Sequence, residues 1–482
     1  MKHPDHTGTE MPCPLRKWAE NAPSRPAVLA AHEAVRYGEL DRRVSAAAAG
    51  LRARGLRTGD RVAMLFPPGI EYLTIMLALF RLGATVCPLS TRLPERGVRE
   101  GLRILGARAL ITSKSLLLPE VEVLAPSECL AGGAPQARLH AHFELHRPAT
   151  IVFTSGSTGA PKAAVHSFGN HFFSALGSNR NLPLSPDSRW LLSLPLYHVG
   201  GLAIVFRCLL AGAAVALPGR APMGEALRRL GVTHVSMVST QLRRFLREGG
   251  GGRDGLRAVL LGGSAIPPGL IEAAHEGGLP LHTSYGLTEM ASQVTTTPPG
   301  APLETLMTSG RTLPYRELRL AGDGEVLVRG ETLFLGYVTD GDVRLPLDDE
   351  GWFHTGDLGA LDEDGYVRIL GRKDHLFISG GENIQPEAIE RALCRIEGVT
   401  RAVVTPKPDE EFGARPVAFV EVAPGGPSVE ELQARLSEEL PRFMLPVRYL
   451  PWPEGGGQKG LKVDRAFFRS LVLPQTGAKE PN

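Results

Sequence analysis

Between Thr154 and Lys162 the chain reads TSGSTGAPK. The hydroxyl side chains of Thr154, Ser155, Ser157 and Thr158 are set around Gly156 and Gly159, and Lys162 follows. Glycines let backbone N–H groups converge without Cβ clashes, hydroxyls add donors, and the ammonium adds charge. This set of groups suits an anion with several oxygens, a phosphate above all. The stretch is not a Walker A loop, which carries four residues between its glycines and then Gly-Lys-Ser/Thr. Here only Ser157 and Thr158 separate Gly156 from Gly159, and Ala163 follows the lysine.

Further segments carry polar chemistry in short compass. SYGLTE (Ser284 to Glu289) sets a phenol, hydroxyls and a carboxylate together. TGD (Thr355 to Asp357), GRKD (Gly371 to Asp374), SGGENI (Ser379 to Ile384) and GLKVDR (Gly460 to Arg465) follow. Taken in this order with the glycine loop, they resemble the adenylate-forming superfamily of acyl- and aryl-CoA ligases, luciferases and peptide-synthetase adenylation domains. The resemblance covers nearly the whole chain. VHSFGNHFFSALGS, LLSLPLYHVGGL, VLLGGSAIP, FISGGENIQPEAIERAL, EFGARPVAFVEV and RFMLPVRYL look more particularly like the 2-succinylbenzoate–CoA ligases of menaquinone biosynthesis. The alternative is another aryl- or fatty-acyl-CoA ligase of the same superfamily. Peptide-synthetase adenylation domains usually show an acidic residue where this chain has Leu196-Tyr197-His198.

The resemblance implies a reaction in two steps. A carboxylate attacks the α-phosphorus of ATP to give an acyl-adenylate and pyrophosphate, and the thiol of CoA then displaces AMP. Such chemistry depends on positioning and on stabilising charge, so it asks for cations and donors rather than a Ser-His-Asp triad. By the same resemblance, Thr154, Ser155, Gly156, Ser157, Thr158, Gly159 and Lys162 hold the β- and γ-phosphates. Ser284, Tyr285 and Gly286 flank the adenine, with Gly263 and Ser264 on that side. Thr288 meets the α-phosphate, and Glu289 binds Mg²⁺, a hard ion that suits carboxylate oxygen. Asp357 accepts from the ribose hydroxyls, and Arg372 reaches ribose or phosphate. Lys462 meets the α-phosphate and the attacking carboxylate; Lys459 is the competing lysine. Asp374 is the hinge, and Gly380 and Gly381 admit the pantetheine of CoA. His198 stands beside the acyl group. Arg207 and His171 are candidates for the substrate's second carboxylate, and Thr240, Gln241 and Thr283 line the floor. Family loops often carry a larger or basic residue where Ala160 stands, and Gly where Ala163 stands; the backbone donors are unaffected.

Positioning these groups calls for an α/β fold. DRVAMLF (Asp60 to Phe66), ATVCPLS (Ala84 to Ser90), ATIVFTS (Ala149 to Ser155) and RAVLLGGS (Arg257 to Ser264) are apolar runs ended by turn residues, the pattern of strands buried in a mainly parallel sheet. From about Arg311 short strands and polar turns take over. The division expected is a large domain of residues 1–370, a hinge at 371–375 and a small mobile α+β domain of residues 376–482. In the last, Ser428 and Glu431 form a capping box ahead of Leu432, Leu436 and Leu440. The glycine-rich stretch PEGGGQKGLKVDR reads as a mobile loop bearing the lysines.

Composition narrows the classes. A net charge of +2 over 482 residues gives no electrostatic reason for nucleic acid or an anionic membrane as partner. The scattered cysteines, Cys13, Cys87, Cys129, Cys208 and Cys394, contain no C-x-x-C pair and suit reduced thiols in the cytoplasm. YLTIMLALF (Tyr72 to Phe80) ends at Arg81, too short to span a bilayer. The partners expected are small molecules (the acid, ATP and CoA), with no membrane insertion; a homo-oligomer is compatible with this reading. A nucleotide-binding scaffold without catalysis is the competing class, and the presence of both Glu289 and Lys462 argues against it.

Overall fold

The computed structural model describes residues 10–131, 142–155, 161–454, 457–459 and 462–473. Two large sheets dominate its first three quarters. One has eight strands among the described residues. Arg61–Leu65, Thr85–Pro88, Ala109–Thr112, Glu122–Leu124 and Pro148–Ser155 run parallel in it. Pro161–Ser167 then turns back antiparallel to Pro148–Ser155. The second sheet has nine strands among the described residues, with a parallel centre that includes Arg189–Leu191, His234–Met237, Ala258–Leu261 and Leu281–Leu287. Antiparallel strands Ser292–Thr296 and Arg311–Thr312 extend it at one edge. The apolar runs predicted as strands are therefore strands, and Ile70–Leu82 is a helix whose residues from Tyr72 onward are buried.

Helices Phe168–Asn181 and Val199–Ala211 pack against each other at the sheet end that carries the polar motifs. Ser167 caps the first: its Oγ accepts from the Asn170 N–H at 3.1 Å, while Asn170 Oδ1 accepts from the Ser167 N–H at 2.8 Å. This reciprocal pair satisfies two amides a helix start would otherwise leave open. A separate four-stranded antiparallel sheet follows, from Glu317–Leu320, Glu325–Arg329, Phe353–Leu361 and Val367–Arg372.

Beyond Arg372 the chain has its own cores. Ile384, Ile389, Leu393, Val404, Leu432 and Leu436 form one, and Val403, Val417, Phe419 and Phe468 another. The Ser428 capping box is present ahead of helix Val429–Glu439, with Leu432 and Leu436 buried and Leu440 packed on their cluster. The lysine-bearing tail is more structured than its glycines suggested. Gln458–Lys459 pairs antiparallel with Lys462–Val463, and helix Arg465–Val472 follows, its start held by Asp464 accepting from the Phe467 N–H. Phe468, edge-on to Phe419 and Trp452, is the apolar anchor that the glycine count obscured.

Candidate active site

The hydroxyl-glycine loop joins two antiparallel strands that pair Ser155 with Pro161 and Thr154 with Lys162. Gly156, Ser157, Thr158 and Gly159 lie outside the described residues, as do the side chains of Ser155, Lys459 and Lys462. Thr154 and Lys162 therefore mark the mouth of the loop. Lys162 is exposed, and its Nζ sits 5.2 Å from the centre of the Tyr337 ring.

The SYGLTE segment ends the strand Leu281–Leu287 and turns sharply. Thr288–Met290 form a 3₁₀ turn, and the chain returns to pair Leu287 with Ser292 and Gly286 with Gln293. The turn is bought with backbone strain: Ala291 has φ 51° and Ser292 φ 121°, conformations that non-glycine residues adopt at a penalty of about 1–3 kcal/mol each. A Cβ at Gly286 would stand 2.1 Å from the Ser292 carbonyl oxygen, so only glycine allows this approach. Polar groups clamp the tip from behind. His166 Nε2 bonds the Thr288 carbonyl at 2.7 Å, Ser174 Oγ donates to the Ala291 carbonyl at 2.9 Å, and the Phe334 N–H donates to the Glu289 carbonyl at 2.8 Å. Burial holds the His166 imidazole neutral, at about 4, despite the Thr288 contact. Thr288 and Glu289, both half-buried, are thus presented on a braced hairpin.

Glu289 Oε1 accepts from Tyr337 Oη at 2.5 Å, which leaves Oε2 for a cation. The described residues hold no cluster of three or more His, Cys, Asp or Glu side chains. A lone half-buried carboxylate fits Mg²⁺, which keeps most of its waters and takes one or two protein carboxylates together with substrate phosphates.

A second group of predicted residues meets across the four-stranded sheet. Asp357 and Arg372 are paired across adjacent strands. Asp357 Oδ2 accepts from Tyr285 Oη at 2.6 Å and Oδ1 from Arg372 Nη1 at 3.1 Å. Arg372 also donates to the Thr355 carbonyl at 2.8 Å and through Nε to Asp374 at 3.0 Å. Burial opposes the charge on Arg372, but Asp374 and Asp357 outweigh it and raise its pKa. Burial and the neighbouring Asp357 charge raise the Tyr285 phenol well above its ordinary value, so it remains a donor. Residues 285, 357, 372 and 374 therefore form one continuous polar chain.

His171 and Arg207 lie on the facing helices. The His171 ring stacks on Phe206 at 4.5 Å, and its Nε2 bonds Thr150 Oγ1 at 2.7 Å. Burial, with His166 nearby, keeps this imidazole neutral as well. Arg207 is 1 % exposed; its Nη2 donates to Gln293 Oε1 at 2.6 Å and Ser292 Oγ at 3.3 Å, and its guanidinium lies 5.1 Å from the Trp190 ring centre. Burial lowers it to about 9. Arg316, also buried, donates to the Gln293 and Ser174 carbonyls and is likewise lowered to about 9, by burial and then by Arg207. Neither guanidinium has a carboxylate within ion-pair distance among the described residues. His198, exposed, precedes helix Val199–Ala211, its ring 4.7 Å from that of Tyr197.

The remaining predicted residues are supports or rims. Gln241 donates to the Ser193 carbonyl at 2.9 Å and so ties its helix to the segment leading to His198; Thr240 is half-buried beside it. Thr283 is buried and donates to the Thr308 carbonyl. Ser284 Oγ donates to the Leu261 carbonyl, beside the loop where Gly263 and Ser264 are exposed. Gly380 and Gly381, at φ 58° and 87°, are the two-residue turn between strands Phe377–Ser379 and Glu382–Ile384. Phe412 lies over this turn: its carbonyl accepts from the Gly380 N–H at 2.9 Å.

The model of the AMP-binding enzyme family matches residues 15–338, and that of the AMP-binding enzyme C-terminal domain matches residues 388–454. A 2-succinylbenzoate–CoA ligase of Bacillus cereus is 34% identical over 476 residues, 96% of this chain and 98% of its own. The o-succinylbenzoate CoA synthetase (MenE) of Bacillus subtilis in complex with the acyl-adenylate intermediate OSB-AMP superposes with a TM-score of 0.87 at 31% identity, covering 95% of this chain and 98% of the other. The same enzyme in complex with ATP and magnesium gives 0.86 at 31% identity, covering 96% and 99%.

Proposed function

The chain belongs to the AMP-binding enzyme family, and we propose that it is a 2-succinylbenzoate–CoA ligase serving menaquinone biosynthesis. It activates 2-succinylbenzoate with ATP to the acyl-adenylate, releasing pyrophosphate, and transfers the acyl group to CoA with release of AMP. The observation that carries the residue-level reading is the convergence of Tyr285 and Arg372, from separate sheets, on the two carboxylate oxygens of Asp357.

Each group has a role set by its chemistry. Asp357, with Tyr285 and Arg372 fixing its two oxygens, faces the ribose hydroxyls. The loop from Thr154 to Lys162 takes the β- and γ-phosphates, Thr288 the α-phosphate, and Glu289 the metal. Mg²⁺, when bound, supplies charge stabilisation for the departing pyrophosphate. Lys462 neutralises charge that develops between the attacking carboxylate and the α-phosphorus, where a point cation is worth most. His198 borders the acyl group, with Thr240 and Thr283 deeper in its wall. Arg207 is our choice over His171 for the second carboxylate. It is a buried cation with no anionic partner among the described residues, whereas His171 is neutral and already bonded to Thr150.

Residues 1–370 are the ATP- and acyl-binding domain in this reading, 371–375 the hinge and 376–482 the mobile domain. The separate apolar cores beyond Arg372 support that division. Among the described residues no helix is long and apolar enough to cross a membrane. We place the reaction in the cytoplasm, where unpaired thiols such as the five here persist.

The test is pyrophosphate release with ATP and Mg²⁺ over 2-succinylbenzoate, benzoate, a medium-chain fatty acid and amino acids, without and with CoA. Turnover confined to 2-succinylbenzoate supports the assignment. Turnover with another acid keeps the mechanism and replaces the substrate.

A further inference from the structure

Tyr337 lies outside every motif the sequence singled out, yet it touches two of them. It stands in strand Gly336–Thr339, which pairs antiparallel with Pro161–Ser167 so that Tyr337 opposes Ala164. Its hydroxyl donates to Glu289 Oε1 at 2.5 Å, and its face lies 5.2 Å from Lys162 Nζ. Phe334 packs edge-on against the ring at 4.7 Å, and the Phe334 N–H holds the Glu289 carbonyl at 2.8 Å. The ring's orientation is thus fixed from the same short segment that fixes the Glu289 backbone. A Cβ at Gly336 would stand 2.4 Å from the Arg344 carbonyl oxygen, so the glycine beside Tyr337 lets the neighbouring strand approach closely.

Resting on the functional reading above, we propose that Tyr337 is a positioning residue for the adenylation step, one that holds Glu289 by its hydroxyl and Lys162 by its ring face and keeps the two from neutralising each other. A carboxylate and an ammonium on the same wall attract one another, and a closed ion pair would leave neither charge for the ligand. No ion pair joins Lys162 to Glu289 among the described residues. The phenol gives each a partner that preserves its charge. A hydroxyl donor orients a carboxylate without neutralising it, and the quadrupole of an aromatic face holds an ammonium without an opposing charge. Neither group is spent on the other, so the carboxylate is left to face Mg²⁺ and the ammonium to face the polyphosphate.

The experiment compares Tyr337→Phe and Tyr337→Leu with the parent chain, measuring ATP binding by calorimetry at graded Mg²⁺ without any acid, and pyrophosphate release with the full substrate set. Tyr337→Phe removes only the hydroxyl. It should raise the half-saturating Mg²⁺ roughly tenfold, the effect of one hydrogen bond to a charged group, while ATP affinity at saturating Mg²⁺ changes less than about threefold. Tyr337→Leu also removes the face and should weaken ATP binding at saturating Mg²⁺ as well. In a Glu289→Gln background, Tyr337→Phe should add nothing to the Mg²⁺ requirement. Thermal midpoints report folding separately. Equal loss toward ATP, acid and CoA in Tyr337→Phe, or a lowered midpoint with an unchanged Mg²⁺ requirement, overturns the proposal and leaves Tyr337 a packing residue. If the parent chain binds no ATP with Mg²⁺, the functional reading falls and the proposal with it. If the parent binds and Tyr337→Phe matches it, the proposal alone falls.

Discussion

Replacing Arg207 by methionine separates a structural cation from one that waits for a substrate. Arg207 is 1 % exposed, and the acceptors it finds, Gln293 Oε1 and Ser292 Oγ, are neutral. Burial lowers its pKa from the ordinary guanidinium value to about 9. At 1.36 kcal/mol per unit, that drop of roughly 3.5 units corresponds to about 5 kcal/mol for keeping the charge in the free enzyme. The sign follows from proton binding. The native state holds this proton less tightly than the unfolded chain does, so stability climbs as pH rises above about 9, and neutral pH bears the full penalty. Methionine removes the charge and its penalty. It gives up the Gln293 bond and the Trp190 face, together about 2 kcal/mol. Gln293 Oε1 is not orphaned, because Ser178 Oγ still donates to it at 2.7 Å. The free Arg207→Met protein should therefore unfold at or above the parent midpoint. Its loss appears with substrate: a charge-assisted bond to the second carboxylate is worth about 1.5–3 kcal/mol, so the KM for 2-succinylbenzoate should rise roughly 10- to 150-fold while that for ATP stays within about threefold. The assay is pyrophosphate release over a titration of each substrate, paired with calorimetric unfolding. A variant that loses several degrees of stability and keeps its KM for the acid would show that the charge serves the fold, and the reasoning fails.

Lys462→Ala should lower acyl-adenylate formation by about 10³-fold or more while still converting supplied acyl-adenylate to the thioester; the same deficit in Lys459→Ala instead would move the role to that lysine. Gly380→Ala should slow thioester formation by about five- to tenfold and spare pyrophosphate release without CoA. Its φ of 58° costs an alanine about 1–2 kcal/mol, and the new Cβ would stand 2.8 Å from Phe412 Cδ1. Glu387, bonded to His375 and paired with Arg465 at 3.1 Å, titrates at about 2, since those partners outweigh the opposing effect of burial. A carboxyl whose native pKa is depressed gives stability that is present above 4.5 and lost as pH falls from 4.5 toward 2. Glu387→Gln should remove up to about 3 kcal/mol at neutral pH and flatten the acid limb of the unfolding curve followed by the Trp452 environment.

What the sequence made legible were groups whose chemistry is local. A glycine loop, a capping box at Ser428 and an apolar run such as Asp60 to Phe66 each carry their reason within a few residues; the capping box and the strand have the form expected, while the loop lies outside the described residues. The supports behind the site were illegible because their meaning depends on distant partners. His166 is one more residue in an apolar strand until its ring meets the Thr288 carbonyl, 122 positions away. Phe412 is a turn aromatic until the chain folds it onto Gly380. Ala291 and Ser292 carry no sequence mark of left-handed backbone, since glycine is the residue that announces it; their strain persists because Ser174, Arg207 and His166 grip the tip from other elements. That difference decides where substitutions should act. In the proposed reading the motif residues face the ligand, so changing them should alter single steps. The supports over-determine one backbone shape, so loosening any of them should move Thr288 and Glu289 together. Replacing Ala291 by glycine tests this on the backbone itself. Relief of the left-handed penalty should leave the protein as stable or up to about 1 kcal/mol more so. Adenylation should slow because the Thr288–Glu289 tip is freed to sample other shapes, with the deficit in kcat rather than in the KM for ATP. An unchanged kcat would mean that the grip of the three side chains is sufficient and that the strain contributes nothing to the chemistry.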